Sequence, residues 1–236
     1  MNENTLSERL HLVASFLPKS AHFADIGSDH AYLPCFVCIN DPSAQAIAGE
    51  INEGPFLSAK RTVDELELNE RIEVRKGNGL EILHDGEVSE LVIAGMGGGL
   101  ITNILEQGKN KLSGVNRIIV QPNMDAHVIR KWFRENAYEL VNEKIISEDG
   151  HIYEVLVADQ GEGNSVYEEE YVSKQLLFGP FLLQEKSEPF KQKWNGEKQK
   201  RENALSQMTK AKQPDTVKIK KFQLEIQEIQ EVLDNE

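Results

Sequence analysis

Cysteine is scarce in this sequence, and long apolar runs are absent. The 236 residues include two cysteines, too few for a disulfide framework, which favours the reducing cytosol. No apolar run approaches the ~20 residues that a membrane-spanning helix needs. The first residues also lack the basic and then apolar pattern of a secretory signal. We therefore expect a cytoplasmic protein without a membrane span.

The sequence also lacks the common metal and nucleophile motifs. Cys35 and Cys38 form a single C-x-x-C pair. No second pair is present, and the six histidines are too scattered in the sequence to indicate a zinc site. We predict two buried thiols in a helix and no metal site. G-x-S-x-G, P-loop and H-E-x-x-H motifs are absent, so nothing indicates a serine hydrolase, a P-loop NTPase or a zincin.

The net charge of -13 argues against nucleic-acid binding over the whole surface, because phosphates require local Lys and Arg. The charge is unevenly distributed, however. Residues 1–160 hold 14 Lys and Arg against 25 Asp and Glu, whereas residues 186–221 hold 11 against 4. The second segment is either a solvated Lys-rich helix surface or a contact for an anionic partner.

Strand and helix patterns alternate through residues 1–160. Short β-rich runs predict strands at 21–26, 45–51, 71–75, 91–94 and 118–120, and helical spacing of apolar residues occurs at 55–68, 100–105 and 128–133. Two further strands, 138–146 and 151–157, flank an Asp-Gly turn typical of a hairpin. This order predicts an α/β fold with a mostly parallel sheet covered on both faces. By association with a known fold, the closing antiparallel hairpin indicates a Rossmann-like class I methyltransferase sheet.

Residues 161–236 read as a helical tail. A linker composition at 161–165 and the Gly179-Pro180 break precede a region without strand signals. Phe222, Ile226 and Ile229, followed by Leu233, repeat at heptad-like spacing, which requires a partner helix. We predict two domains, 1–160 and 161–236, the second an antiparallel coiled-coil-like pair joined near residues 213–215.

The main motif follows the first strand, where open α/β sheets bind ligands. Gly27 permits a tight turn, but a dinucleotide-binding G-x-G-x-x-G would need glycine where Asp29 and Tyr32 stand. Asp25, Asp29 and Glu50 would also repel phosphates. The residues therefore favour a cofactor that lacks phosphates and has a positive centre.

S-adenosylmethionine fits this description, since it carries a sulfonium, an ammonium, one carboxylate and a ribose diol. Glu50, at the end of the second strand, is placed to accept both ribose hydroxyls, and the other carboxylates would favour the cationic methionyl end. The alternatives are a surface carboxylate at Glu50 and a turn or helix cap at Asp25.

Three later turns complete the same predicted rim. Asn78, between two glycines after the third strand, would face the adenine amino group, although alone this is a turn signal. The glycines of 95–99 allow close backbone approach to a ligand or simply form a flexible loop. The amide groups of Gln121 and Asn123 would read a base edge.

Together these stretches resemble the bacterial tRNA (adenine-N1)-methyltransferases that modify adenine 22, the TrmK family. The resemblance covers the catalytic domain and the helical tail. Asn78 departs from the aspartate expected in most relatives. The matching stretches are LSERL at 6–10, ADIGSDHAYLP at 24–34, EIN at 50–52, GMGGG at 95–99, QPN at 121–123 and DGHIYE at 149–154.

The resemblance implies S-adenosylmethionine-dependent methylation of adenine N1 in tRNA, with the helical tail, including 186–221, helping to hold the tRNA. It implies a cofactor site that would include Arg9, facing the cofactor carboxylate, together with Leu10, Asp25, Gly27, Glu50, Ile51, Asn78, Gly79, Gly95 and Met96.

Adenine N1 has a free lone pair, so the enzyme needs alignment more than a strong base. We predict that Asp29 stabilises the cationic product, that His30 or Tyr32 stacks on or orients the base, and that Asn123 contacts it. We expect a monomer. The alternatives are a methyltransferase acting on a small molecule or protein, and a non-catalytic binding module whose tail recruits a protein.

Overall fold

A computed structural model describes residues 6–162, 165–210 and 215–234. In these ranges seven strands form one sheet in the order β3-β2-β1-β4-β5-β7-β6. The first five are parallel, and β7 pairs antiparallel with both β5 and β6. The strands are β1 His22–Ile26, β2 Gln45–Glu50, β3 Ile72–Lys76, β4 Glu90–Gly97, β5 Arg117–Met124, β6 Tyr138–Glu148 and β7 His151–Gln160.

The central strands are buried on both faces, which explains their continuous apolar runs. In β4, Val92 faces one core cluster and Leu91 and Ile93 face the other, and all three are fully buried. The mostly parallel sheet with a terminal antiparallel hairpin is thereby confirmed. The fold is Rossmann-like.

Helices cover both faces of the sheet. Helices α1 Glu8–Ser15, α2 Tyr32–Asn40 and α3 Glu53–Glu65 pack on one face, and α4 Gly98–Gln107 and α5 Ala126–Glu135 pack on the other. Cys35 and Cys38 are fully buried in α2, as predicted. No described helix is both long enough and apolar enough to span a bilayer.

The β4 strand is longer than predicted. The sequence predicts a strand over 91–94 and then a glycine loop, whereas β4 continues to Gly97 and α4 begins at Gly98. Its pairing with β5 becomes irregular around Met96. Gly95 adopts a φ of +78°, a conformation that disfavours other residues, so the strand bulges there without ending.

The tail contains α6 Val172–Phe178, α7 Pro180–Glu185, α8 Glu188–Thr209 and α9 Thr216–Asp234. The predicted break at Gly179-Pro180 separates α6 from α7. Helices α8 and α9 run antiparallel, since Lys198 contacts Gln230 whereas Arg201, further along, contacts Glu225. Residues 213–214 of the predicted connection at 213–215, and residues 163–164 of the predicted linker at 161–165, lie outside the described residues.

The tail packs directly on the edge of the sheet. Phe178, Phe190 and Trp194 form an aromatic cluster that also contains Ile145 of β6 and Ile229 of α9. This cluster buries both helices of the pair against the hairpin.

Shortening a buried side chain of the central strand β4 tests the role of the sheet core. We expect Ile93→Ala to lower the free energy of unfolding by about 2–5 kcal/mol, because it leaves a cavity between β4 and its covering helices. Leu57→Ala in α3 is the matched control, since Leu57 is 49% exposed and should cost less than about 1 kcal/mol. Urea unfolding of the full chain measures both, and equal losses would contradict this account.

Candidate active site

The carboxyl ends of the parallel strands meet at one edge of the sheet, hereafter the rim. The first turn is fastened there to β2, because Gly27 N and Ser28 N both donate to Gly49 O at 2.9 and 3.2 Å. Asp29 N donates to Glu50 Oε1 at 2.5 Å. The structure therefore brings the predicted residues Gly27, Asp29 and Glu50 together.

The turn after Gly27 is a strained left-handed segment. Asp29, His30 and Ala31 have φ values of 36°, 61° and 56°. Each such residue costs of order 1 kcal/mol, and such strain is concentrated at functional sites. The turn leaves the Asp29 side chain 72% exposed.

His30 and Tyr32 form an aromatic pair beside Asp29. Their rings stack at 5.2 Å with an interplanar angle of 12°. His30 Nδ1 also lies 2.5 Å from Ser58 Oγ of α3, so the imidazole is held from both sides. Ser58 was not among the predicted site residues, and no local signal marks it, because 28 residues separate it from His30.

Asp25 lies beneath this turn. Its carboxyl group is buried and accepts a hydrogen bond from Ser28 Oγ at 2.6 Å. Burial, with a smaller contribution from Glu50, raises the pKa of Asp25 to about 7, although the Ser28 bond opposes the shift. Asp25 therefore braces the turn, which agrees with its alternative interpretation as a turn cap.

Glu50 is suited to bind a diol. Burial raises its pKa, whereas the hydrogen bond from Asp29 N lowers it and orients the carboxylate. Among the described residues, Oε2 of Glu50 has no hydrogen-bonding partner, so this oxygen can accept from a ligand. The neighbouring β3 turn joins the same edge, because Gly77 N donates to Glu50 O at 2.9 Å.

Met96 of β4 closes over the first turn. A Cβ atom on Gly27 would clash with Met96 Cε, and Gly27 has a φ of +74°. Glycine is therefore required there by both conformation and space.

Arg9 reaches the rim from α1. Its guanidinium donates to Gln121 Oε1 and lies 5.2 Å from the centroid of the Tyr153 ring. The N-terminus of α1 is fixed by Glu148, which accepts from Glu8 N at 2.5 Å. Strands β5, β6 and β7 thus position Arg9.

Gln121 and Asn123 hold the β4 bulge. Gln121 Oε1 accepts from Gly95 N at 3.1 Å, and Asn123 Nδ2 donates to Gly95 O at 2.8 Å. Gln121 is fully buried in β5 and its amide is engaged by protein groups, so the prediction that it reads a base edge is wrong.

The remaining predicted residues lie around this centre. Asn78 and Ile51 are exposed at the ends of β3 and β2, and Gly79 packs near Ile104. Leu10 packs into the core cluster below α1. Within the described ranges, no group of His, Cys, Asp or Glu is arranged to hold a metal ion.

An open cleft of about 650 Å³ lies beside the rim, between β5 and the tail. One wall includes Asn123 and His127, and the opposite wall is α8 from Gln192 to Arg201. The hairpin turn around Gly150 closes one side. The rim and the tail therefore border one common space.

The fold and this rim define a Rossmann-like methyltransferase. Residues 23–231 match the TrmK family model, described as tRNA (adenine(22)-N(1))-methyltransferase. A curated relative with that name from Bacillus subtilis is 46% identical, and the match covers 100% of both chains. The chain belongs to the TrmK family.

Solved structures agree over nearly the whole chain. The crystal structure of the B. subtilis tRNA methyltransferase TrmK matches at a TM-score of 0.93 and 45% identity, covering 98% of this chain and 100% of that one. A Streptococcus pneumoniae protein described as a putative tRNA (m1A22) methyltransferase, in complex with S-adenosyl-L-methionine, matches at a TM-score of 0.85 and 40% identity, covering 97% of this chain and 100% of that one.

The buried carboxyl group of Asp25 predicts a pH dependence of stability. Its folded-state pKa, near 7, lies above the unfolded value, so the folded state retains a proton that the unfolded state releases between about pH 4 and 7. The free energy of unfolding therefore loses this contribution as the pH rises through that window.

We expect Asp25→Asn to remove the loss. Relative to the wild type, the variant should gain stability from pH 4 to pH 8, by at most about 4 kcal/mol. Urea unfolding at several pH values measures the difference, in which groups common to both proteins cancel. A difference independent of pH would contradict the assignment.

Proposed function

We propose that this chain transfers a methyl group from S-adenosylmethionine to N1 of adenine 22 in tRNA. The observation that carries the proposal is the hydrogen bond that joins Glu50 to the turn at Asp29. At this anionic rim the Glu50 carboxylate is oriented for a diol, and the Asp29 carboxylate is exposed. The family membership and the names of the similar proteins support the substrate.

The described residues fit the cofactor. Glu50 would accept the ribose hydroxyls, Arg9 would face the carboxylate, and Met96 with Gly27 would form the wall between them. Ile51, Asn78 and Gly79 would face the adenine side, with Leu10, Asp25 and Gly95 supporting these contacts. When bound, the cofactor supplies a methyl group on a positively charged sulfur.

The chemistry requires little from an acid or base. The N1 lone pair of an unpaired adenine forms the new bond to the methyl carbon, and the electrons of the broken carbon–sulfur bond remain on sulfur. The ring becomes cationic, and the exposed Asp29 carboxylate would stabilise that charge. The stacked pair of His30 and Tyr32 would support the base, and Asn123 would contact it from the β4 side.

The tail supplies a phosphate contact, but not along its whole basic stretch, 186–221. Lys198, Lys200 and Arg201 are engaged by carboxylates of α8 and α9, namely Glu202, Glu197 and Glu225. Among the described residues, the exposed Lys210, Lys218 and Lys220 have no ion-pair partner. They lie towards the free end of the helix pair, where we place the tRNA backbone.

We further propose a monomeric cytoplasmic protein with a catalytic domain at 1–160 and a tRNA-holding tail at 161–236. A methyltransferase acting on a small molecule or protein would not need the lysines of the tail. A non-catalytic module would not bind S-adenosylmethionine, which calorimetry measures directly.

Substitution of Asp29 tests the catalytic assignment. Asparagine tolerates the left-handed backbone, so Asp29→Asn removes the charge and keeps the turn. We expect kcat to fall about 10- to 100-fold, with little change in the dissociation constant for S-adenosylmethionine, since Glu50 accepts from the backbone of Asp29. Turnover on total tRNA and calorimetry provide the two values. Unchanged turnover would remove Asp29 from the mechanism.

Charge reversal in the tail tests the tRNA contact. We expect Lys210→Glu, Lys218→Glu and Lys220→Glu together to weaken tRNA binding strongly. The slope of the logarithm of the binding constant against the logarithm of the salt concentration should fall in magnitude by about one for each lysine that binds a phosphate in the wild type. Cofactor affinity should not change.

The matched control is the triple reversal of Lys198, Lys200 and Arg201. It carries the same charge change but affects residues already paired, so its salt dependence should change less. Equal effects of the two triple variants would place the contact along the entire stretch instead of at its end.

A further inference from the structure

A buried charge network joins the catalytic sheet to the tail. Arg130 of α5 is fully buried, and its Nε donates to Glu143 Oε1 of β6 at 2.5 Å. Its Nη2 donates to Glu154 Oε2 of β7 at 2.7 Å. Both carboxylates are nearly inaccessible to solvent, so each depends on its protein partners for compensation.

The same groups bind the backbone of the tail. Arg130 Nη1 lies 3.2 and 3.3 Å from the carbonyl oxygens of Leu176 and Leu177 at the end of α6. Glu143 Oε2 accepts from Phe181 N of α7 at 3.1 Å. The short helices are therefore fixed by directional bonds as well as by apolar contact.

Glu154 makes the connection to α8. Its Oε1 accepts from Lys193 Nζ, whose side chain is 27% exposed, while Oε2 faces Arg130. Burial opposes ionisation of Glu154, but Arg130 and Lys193 outweigh it and hold the pKa below its ordinary value. With Glu143, the network contains two basic and two acidic side chains. Burial raises the pKa of Glu143, although Arg130 opposes the shift.

The position of this network relates it to the cleft. Glu154 and Lys193 both line the cleft, and α8 forms the wall opposite Asn123. The Glu154–Lys193 contact joins β7 directly to α8, in addition to the apolar packing around Trp194. A directional contact beside the cleft therefore contributes to the position of α8 relative to the rim.

We propose that Glu154 and Lys193 are positioning residues that hold α8 across the cleft from Asn123. In this position of α8, a tRNA bound to the tail would have its target base aligned with the rim. This inference rests on the proposed function, because it concerns placement of the same tRNA. It also gives a role to the DGHIYE stretch, which ends at Glu154.

A double-mutant cycle tests the proposal with Glu154→Gln, Lys193→Met and the double variant. Glutamine keeps a hydrogen-bonding group facing Arg130, so the fold should survive. We expect each single change to raise the KM for tRNA about five- to tenfold and the double variant to be no worse than either. The affinity for S-adenosylmethionine should not change. Lys131→Met is the control, since it removes an exposed lysine beside Arg130 that, in the described chain, pairs only with Glu135 at 3.8 Å.

The alternative is that Lys193 contacts a tRNA phosphate itself. The two effects would then multiply, and Lys193→Met would lower the salt dependence of binding even in the Glu154→Gln background. Either result would overturn the proposal.

Hydrogen exchange of the isolated protein separates this proposal from the proposed function. Amides of residues 188–201 should exchange faster in Glu154→Gln than in the wild type or Lys131→Met, without any substrate present. Unchanged exchange in a protein that methylates tRNA would overturn the positioning role alone. A wild-type chain that fails to methylate tRNA would overturn the proposed function and the register role with it.

Discussion

The hydrogen bond from Asp29 N to Glu50 is the contact on which the rim depends. A carboxylate buried at the end of a strand needs a donor, and a left-handed turn of non-glycine residues needs a fixed anchor. The hydrogen bond gives the Glu50 carboxylate its donor and gives the turn its anchor. It can form because the bonds of Gly27 and Ser28 to Gly49 hold the ends of β1 and β2 side by side. One contact thus orients the Glu50 carboxylate and accompanies a turn that leaves the Asp29 carboxylate exposed.

The β6–β7 hairpin extends this organisation to the rest of the chain. Side chains of a strand alternate between faces, so neighbours in β7 serve different partners. Tyr153 packs on Arg9, which approaches the rim, while Glu154 points to the opposite side and binds Lys193 of the tail. Glu148, at the end of β6, fixes the start of α1. An edge hairpin that could have been merely structural therefore connects α1, the rim and the tail.

The sequence predicted the strands and the turns that follow them, because local sequence determines these features. The run at 118–120 indicated a buried parallel strand, and the turns following successive strands met at one rim as the parallel order requires. The contacts that hold the side chains were not predictable. Gln121 binds Arg9, His30 meets Ser58, and Arg130 faces two carboxylates, all across separations that carry no periodic signal. The mostly parallel sheet and its closing hairpin were inferable, but the strand order and the partners of polar side chains depend on the assembled fold.

The charge distribution also acquires a spatial meaning. The pairing of Lys198 with Glu202 was readable from their spacing of four, and it removes part of the basic stretch from consideration. Lys210, the residue that follows α8, lies 17 residues beyond Lys193, which is about 25 Å at a rise of 1.5 Å per residue. Charges are screened over about 8 Å at physiological salt. The carboxylates near Lys193 therefore do not neutralise the lysines at the far end of α8. The acidic rim and the exposed lysines at the end of α8 are therefore two separate charged surfaces of one protein. Under the proposed function, only the target base of the tRNA, and not its phosphate backbone, would approach the acidic rim.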